Sequence, residues 1–191
     1  MKKIISMILA LTLAAALLAG CSGNGGSSSS DGNNGQSSSS QPVKEVSVDE
    51  VLTAIKEAYG DDFLADTEIP AEMMEIEFPV PSDIVKEMKG MMPTIGFHPD
   101  RIVVVQAVEG KGADVEAELK KIRENMIQNS MTYPANIAKV NASQVLRNGD
   151  TVCFLLAGAV NEDMDASEED AQKFAEAEVQ KGVDAFQALF A

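Results

Sequence analysis

The chain has 191 residues, a formal charge of −15 at neutral pH, one histidine and two cysteines. Its 30 acidic residues face only 15 Lys and Arg, with no basic cluster, which excludes nucleic acid as a partner and argues against docking on anionic headgroups by charge. One histidine and two cysteines cannot fill a tetrahedral structural zinc site, so no metal and no cofactor is expected.

In chain order, Lys2-Lys3 precedes the apolar run Ile4 to Leu18 and the tetrad Leu18-Ala19-Gly20-Cys21. Basic residues, a short apolar segment and small residues describe a secretory signal peptide over residues 1–20. As a helix the apolar run would reach roughly 22 Å, short of the ~30 Å hydrocarbon core, so it is a poor stable span. The tetrad resembles the bacterial lipobox, which implies cleavage before Cys21 and attachment of lipid to that cysteine. Two or more acyl chains anchor stably where one does so only marginally. The membrane is thus an expected partner through the lipid on Cys21, and the expected location is the extracytoplasmic face of the cell membrane. Losing Lys2 and Lys3 with the leader leaves the mature chain more acidic still.

Residues 22–41 are almost entirely Ser, Gly, Asn and Gln. Such a composition cannot bury enough apolar surface to offset chain entropy, so residues 21–42 are expected to be a lipidated cysteine on a disordered tether. Its typical reach is about 25 Å. Residues 43–191 are then long enough for one domain with a single core and no disulfide. Cys153, left without an intramolecular partner, is expected to be buried as a small hydrophobe.

The domain opens with Ser47-Val48-Asp49-Glu50, the pattern of a capping box. A helix follows with Val48, Val51, Leu52, Ile55, Ala58 and Tyr59 on one face and Gly60 at its end. Prolines at 70, 79 and 81 block long elements before Ser82-Asp83, which is placed to cap a second helix bearing Ile84, Val85 and Met88 and stopped by Gly90 and Pro93. The β-branched run 101–108 predicts a first strand. Gly112 leads into a helix to about Met131, with Val115, Leu119, Ile122, Met126 and Ile127 as its apolar stripe, closed by Pro134. Asn148-Gly149 between two apolar runs predicts a type I′ hairpin joining strands at about 142–147 and 151–158. A last helix is expected from Ser167 through Phe174, Val183, Phe186 and Phe190.

The fold class expected from these elements is α+β, a small three-stranded mixed sheet in the order 1-3-2 packed with about four helices. A right-handed crossover leaves one vacancy for the third strand, whose unbroken apolar run fits burial on both faces.

From about Val48 to Ala159 the arrangement resembles a bacterial lipoprotein family of unknown function found in Firmicutes, number 4358 among the families of that kind. The resemblance is carried by the lipobox, the Ser-rich tether, Pro99-Asp100-Arg101-Ile102-Val103-Val104 before a charged helix, Tyr133-Pro134, and Asn148-Gly149-Asp150-Thr151-Val152. It implies no catalytic motif that transfers to residues here.

The chemistry open to the chain is narrow. His98 and Cys153 form the only Cys-His pair that composition permits, but Cys153 lies within a predicted central strand and His98 in a turn. Asn161, Asp163, Asp165, Ser167 and Glu169 alternate like oxygen ligands of an EF-hand loop, yet Ala166 stands where Gly is required and Gln172 where the bidentate Glu belongs. Asp61, Asp62 and Asp66 form a second acidic cluster, read as a solvated turn. Met73, Met74, Met88, Met91 and Met92 concentrate in one region, read first as packing a core, then as lining an adaptable partner groove, and last as holding copper through their thioethers. Asn141-Ala142-Ser143 matches a glycosylation sequon by chance. No nucleophile elbow, P-loop or dinucleotide fingerprint occurs. The expectation is a membrane-anchored binding or accessory module without enzymatic activity, whose partner is a basic surface protein or a small extracellular ligand. The alternative is a carboxylate-dependent hydrolase at the cell surface, which needs two carboxylates in split environments.

Overall fold

The computed structural model describes residues 45–95, 98–129, 132–163 and 165–191. Cys21, the leader and the tether lie outside the described residues. Helix α1, Val48–Tyr59, begins at the expected capping box: the Ser47 hydroxyl accepts from the Glu50 amide while the Glu50 carboxylate accepts from Ser47. A short 3₁₀ turn, Gly60–Asp62, leads to β1, Thr67–Glu68. Helix α2 is Ala71–Glu77, and β2 is Val85–Met92. Then follow β3, Arg101–Ala107, and α3, Gly112–Asn129. Helix α4, Ile137–Ala142, precedes β4, Gln144–Asn148, and β5, Thr151–Leu156. Helix α5, Glu168–Ala188, is capped by Ser167, whose hydroxyl accepts from the Asp170 amide.

The sheet has five strands in the order β1-β2-β3-β5-β4, and every pairing is antiparallel. This corrects the expected three-stranded mixed sheet with four helices, although the class remains α+β. The main cause is 85–92, where Ser82-Asp83 as a cap and Ile84, Val85 and Met88 as an apolar face predict a helix. The segment instead pairs along β3 from Val85↔Ala107 to Met91↔Ile102, with an irregularity between Val85 and Glu87. Ser82–Ile84 forms only a 3₁₀ turn. Pairing with a long apolar strand overrides local helix propensity. Two short helices, α2 and α4, lie outside the elements expected from sequence, and α4 ends at Ala142, so the strand expected from about 142 begins at Gln144.

The hairpin also shifts by one residue. Asn148 pairs with Thr151, so Gly149 and Asp150 form the loop, and Gly149 carries the positive φ of 56°. The Asp150 carboxylate accepts from the amides of Gly110 at 2.8 Å and Gly112 at 2.9 Å, which caps the start of α3 from across the hairpin. A Cβ on Gly112 would stand within 3 Å of the Gly149 and Asp150 backbone, so this approach requires glycine.

Helices cover both faces of the sheet. Ile102, Val104, Cys153 and Leu155 face α1 and α5 in one core with Val51, Ile55, Tyr59, Val179 and Phe186. Val103, Val105, Val152, Phe154 and Leu156 form a second with Ile69, Met74, Phe78, Val115 and Leu119. The period of two along β3 and β5 is thus apolar in both phases, which explains their unbroken runs. Phe78 meets Phe154 edge-on at 5.2 Å between centroids. The methionine segment packs these cores: Met74 and Met92 are buried in the second, which Met73 and Met88 flank, and Met91 flanks the first.

Candidate functional site

Beyond the end of the β1–β2 pair, the chain leaves a cleft of about 390 Å³. Four segments build it: Phe63 to Asp66 ahead of β1, Pro93 to Ile95 after β2, His98 ahead of β3, and Tyr133 after α3. Its walls are largely apolar. Leu64, Ile95 and Tyr133 stay exposed at 38%, 73% and 64%, a cost in water that an occupant would relieve.

The polar groups of the cleft are held in place. β1 sets Thr67 opposite Met92, which brings Asp66 against the segment that follows β2. Asp66 Oδ1 accepts from the Thr94 amide at 3.0 Å, the Thr94 hydroxyl at 2.9 Å and the Thr67 hydroxyl at 3.2 Å. These bonds, those from Thr94 foremost, favour the carboxylate and hold its pKa below the ordinary value.

Behind His98 lies a buried ionic cluster. Its Nδ1 stands 3.2 Å from Oδ1 of Asp100, a residue with no exposed surface, and Lys139 Nζ stands 2.5 Å from the same oxygen. These separations neutralise the charge, but neither Asp100 oxygen nor either His98 nitrogen gains a hydrogen bond of good geometry among the described residues. Lys139 also donates to the Gly158 carbonyl at 2.6 Å. Arg101 fastens the backbone here, donating to the carbonyls of Asp100 at 2.8 Å and His98 at 3.2 Å while its Nε meets Glu77 at 2.7 Å. A strand, α2 and α4 thus converge to fix the position of His98.

The residues singled out by sequence fare differently. Cys153 is fully buried, and desolvation pushes its thiol well above the ordinary range, so it is no nucleophile for His98. The alternating oxygens of 161–169 serve local turns: Asn161 Oδ1 accepts from the Asp163 amide, Asp163 Oδ1 from the Asp165 amide, and Ser167 caps α5. Among the described residues no group of three or more His, Cys, Asp or Glu is arranged to hold a metal ion. Asp61 and Asp62 lie in the turn after α1, and only Asp66 of that cluster lines the cleft.

Sequence reasoning missed Phe63, Leu64, Ile95 and Tyr133 as a surface, and Asp100 and Lys139 as a pair. The available signals were faint. Lys139 is a lone cation among apolar neighbours in Ile137-Ala138-Lys139-Val140, and Asp100-Arg101 immediately precedes an apolar strand.

A family model described as Domain of unknown function (DUF4358) matches residues 59–157, a span that contains every residue lining the cleft. No curated protein and no solved structure matches the chain.

Proposed function

Because the chain belongs to the DUF4358 family, whose shared region contains the cleft, we propose that it is a non-enzymatic binding module that takes a small extracellular ligand in that cleft. The observation that carries this reading is the apolar lining with Leu64, Ile95 and Tyr133 left exposed. A hydrolase working through paired carboxylates needs two of them in one site, and among the described residues Asp66 alone brings a carboxylate to the cleft. The methionines that a partner groove would have used are instead engaged in the cores, which favours a small ligand over a basic surface protein.

We further propose that Cys21 carries lipid and holds the module at the extracytoplasmic face of a bacterial cell membrane. The support is Leu18-Ala19-Gly20-Cys21 after a short apolar run and before a Ser/Gly-rich segment. The test is fractionation of cells expressing the chain and its Cys21→Ala variant, followed by assay of the purified chain on cell-wall glycan. The proposal expects the variant in the medium or as an unprocessed precursor, and no hydrolysis. A variant still on membranes as a mature-sized, lipid-free chain would overturn the anchor, and glycan hydrolysis would overturn the non-enzymatic reading.

A further inference from the structure

Resting on the reading of the cleft as a ligand site, we infer that its ligand is an organic cation: an apolar body carrying an amine or a quaternary ammonium group, recognised by Asp66. The first ground is the charge in the walls. Among the described residues no Lys or Arg lines the cleft, and Asp66 supplies the carboxylate there. His98 offers an anion nothing, because both its nitrogens are shielded from solvent and Nδ1 lies against Asp100.

The second ground is how Asp66 is held. The Thr94 amide, the Thr94 hydroxyl and the Thr67 hydroxyl converge on Oδ1, so the carboxylate is held in one orientation. A preorganised carboxylate orders little on binding, and a cation is the charge it rewards. The same bonds, those from Thr94 foremost, lower its pKa and so favour the charged form.

The third ground is the aromatic lining. Phe63, with the Lys56 ammonium 5.9 Å from its ring centroid, and Tyr133, 64% exposed, both line the cleft, and Tyr133 offers its ring to a ligand cation. An apolar cleft with an anchored carboxylate and an exposed tyrosine is complementary to an ammonium on an apolar body. The acidic chain as a whole repels anions and draws cations toward it.

Three probes that share one apolar body separate the terms: phenylpropylamine as cation, phenylpropanol as neutral analogue and phenylpropionate as anion. Each is titrated into the full chain while the methyl resonances of Leu64 and Ile95 are followed. The amine should bind about fivefold tighter than the alcohol, the preference should shrink as salt rises, and the propionate should bind weakest. Asp66→Asn keeps an acceptor for Thr94 and Thr67 while removing the charge. It should bring the affinity for the amine down to that for the alcohol, with a cooperative melting transition and unshifted methyl resonances of the buried cores confirming the fold. Equal binding of amine and alcohol by the original chain, or tightest binding of the propionate, overturns the cation assignment and leaves the cleft reading standing. Failure of all three probes to move Leu64 and Ile95 overturns the cleft reading itself.

Discussion

Lys139 and Asp100 form a buried pair behind the cleft. Asp100 has no exposed surface and Lys139 almost none, so each charge has exchanged water for the other at 2.5 Å. Removing one partner strands the other, whereas removing both need not be costly. Lys139→Met is therefore expected to destabilise the chain by about 3–5 kcal/mol in denaturant unfolding. Adding Asp100→Asn should recover most of that loss. If Lys139→Met were neutral, the pair would not bear on stability. Glu116 on α3 gives a pH dependence with a definite sign. Its carboxylate meets Lys120 Nζ at 2.6 Å and Arg147 Nε on β4 at 2.6 Å, and these contacts, Lys120 first, lower its pKa. A depressed carboxylate contributes stability above its unfolded pKa of about 4.3, and that contribution is lost as pH falls through the lower folded value. Glu116→Gln should thus cost stability at neutral pH and converge with the original chain in acid. Parallel stability curves down to the acid limit would contradict the assignment.

At the scale of elements, legibility followed how far each signal was local. The capping box at Ser47 and the cap at Ser167 were readable because their partners lie three residues away. The strand at 101–107 was readable because β-branched residues fit a buried pleat whichever face they meet. β2 was not, because its strand state is imposed by β3 and by α2 packing over it. Gly90 marks the contact: a Cβ there would come within 2.5 Å of Met74 Cε and 2.7 Å of Ile69 Cδ1. Within a presumed helix that glycine had looked like a stop signal, whereas it makes room for α2. Gly90→Leu is expected to cost about 1–3 kcal/mol by overpacking. Met74→Ala in the same chain should return part of it, measured as a double-mutant cycle. A Gly90→Leu chain as stable as the original would exclude this packing. The cleft was less legible still, since its lining comes from four loops whose residues give no periodic signal. The Asp61, Asp62 and Asp66 cluster was visible as sequence, but only tertiary pairing shows that Asp66 alone turns to the cleft.

At the scale of the molecule, helices on both faces leave little of the sheet free, and both core layers run through β3 and β5. Function is therefore left to the ends of the elements, where loops meet. The cleft lies there, with its segments held by Asp66 on one side and by Arg101, Asp100 and Lys139 on the other. The most direct test is mass spectrometry of the small molecules that remain bound to the full chain purified from its own cells, beside the Ile95→Ser variant. Ile95 is 73% exposed, so the substitution spares the core while removing apolar surface from the cleft. The account predicts a small organic molecule that accompanies the original chain in stoichiometric amount and is largely lost from the variant. The same molecule retained equally by both would contradict the cleft as its site, and a chain that purifies with none and binds none from an extract of those cells would contradict the binding function.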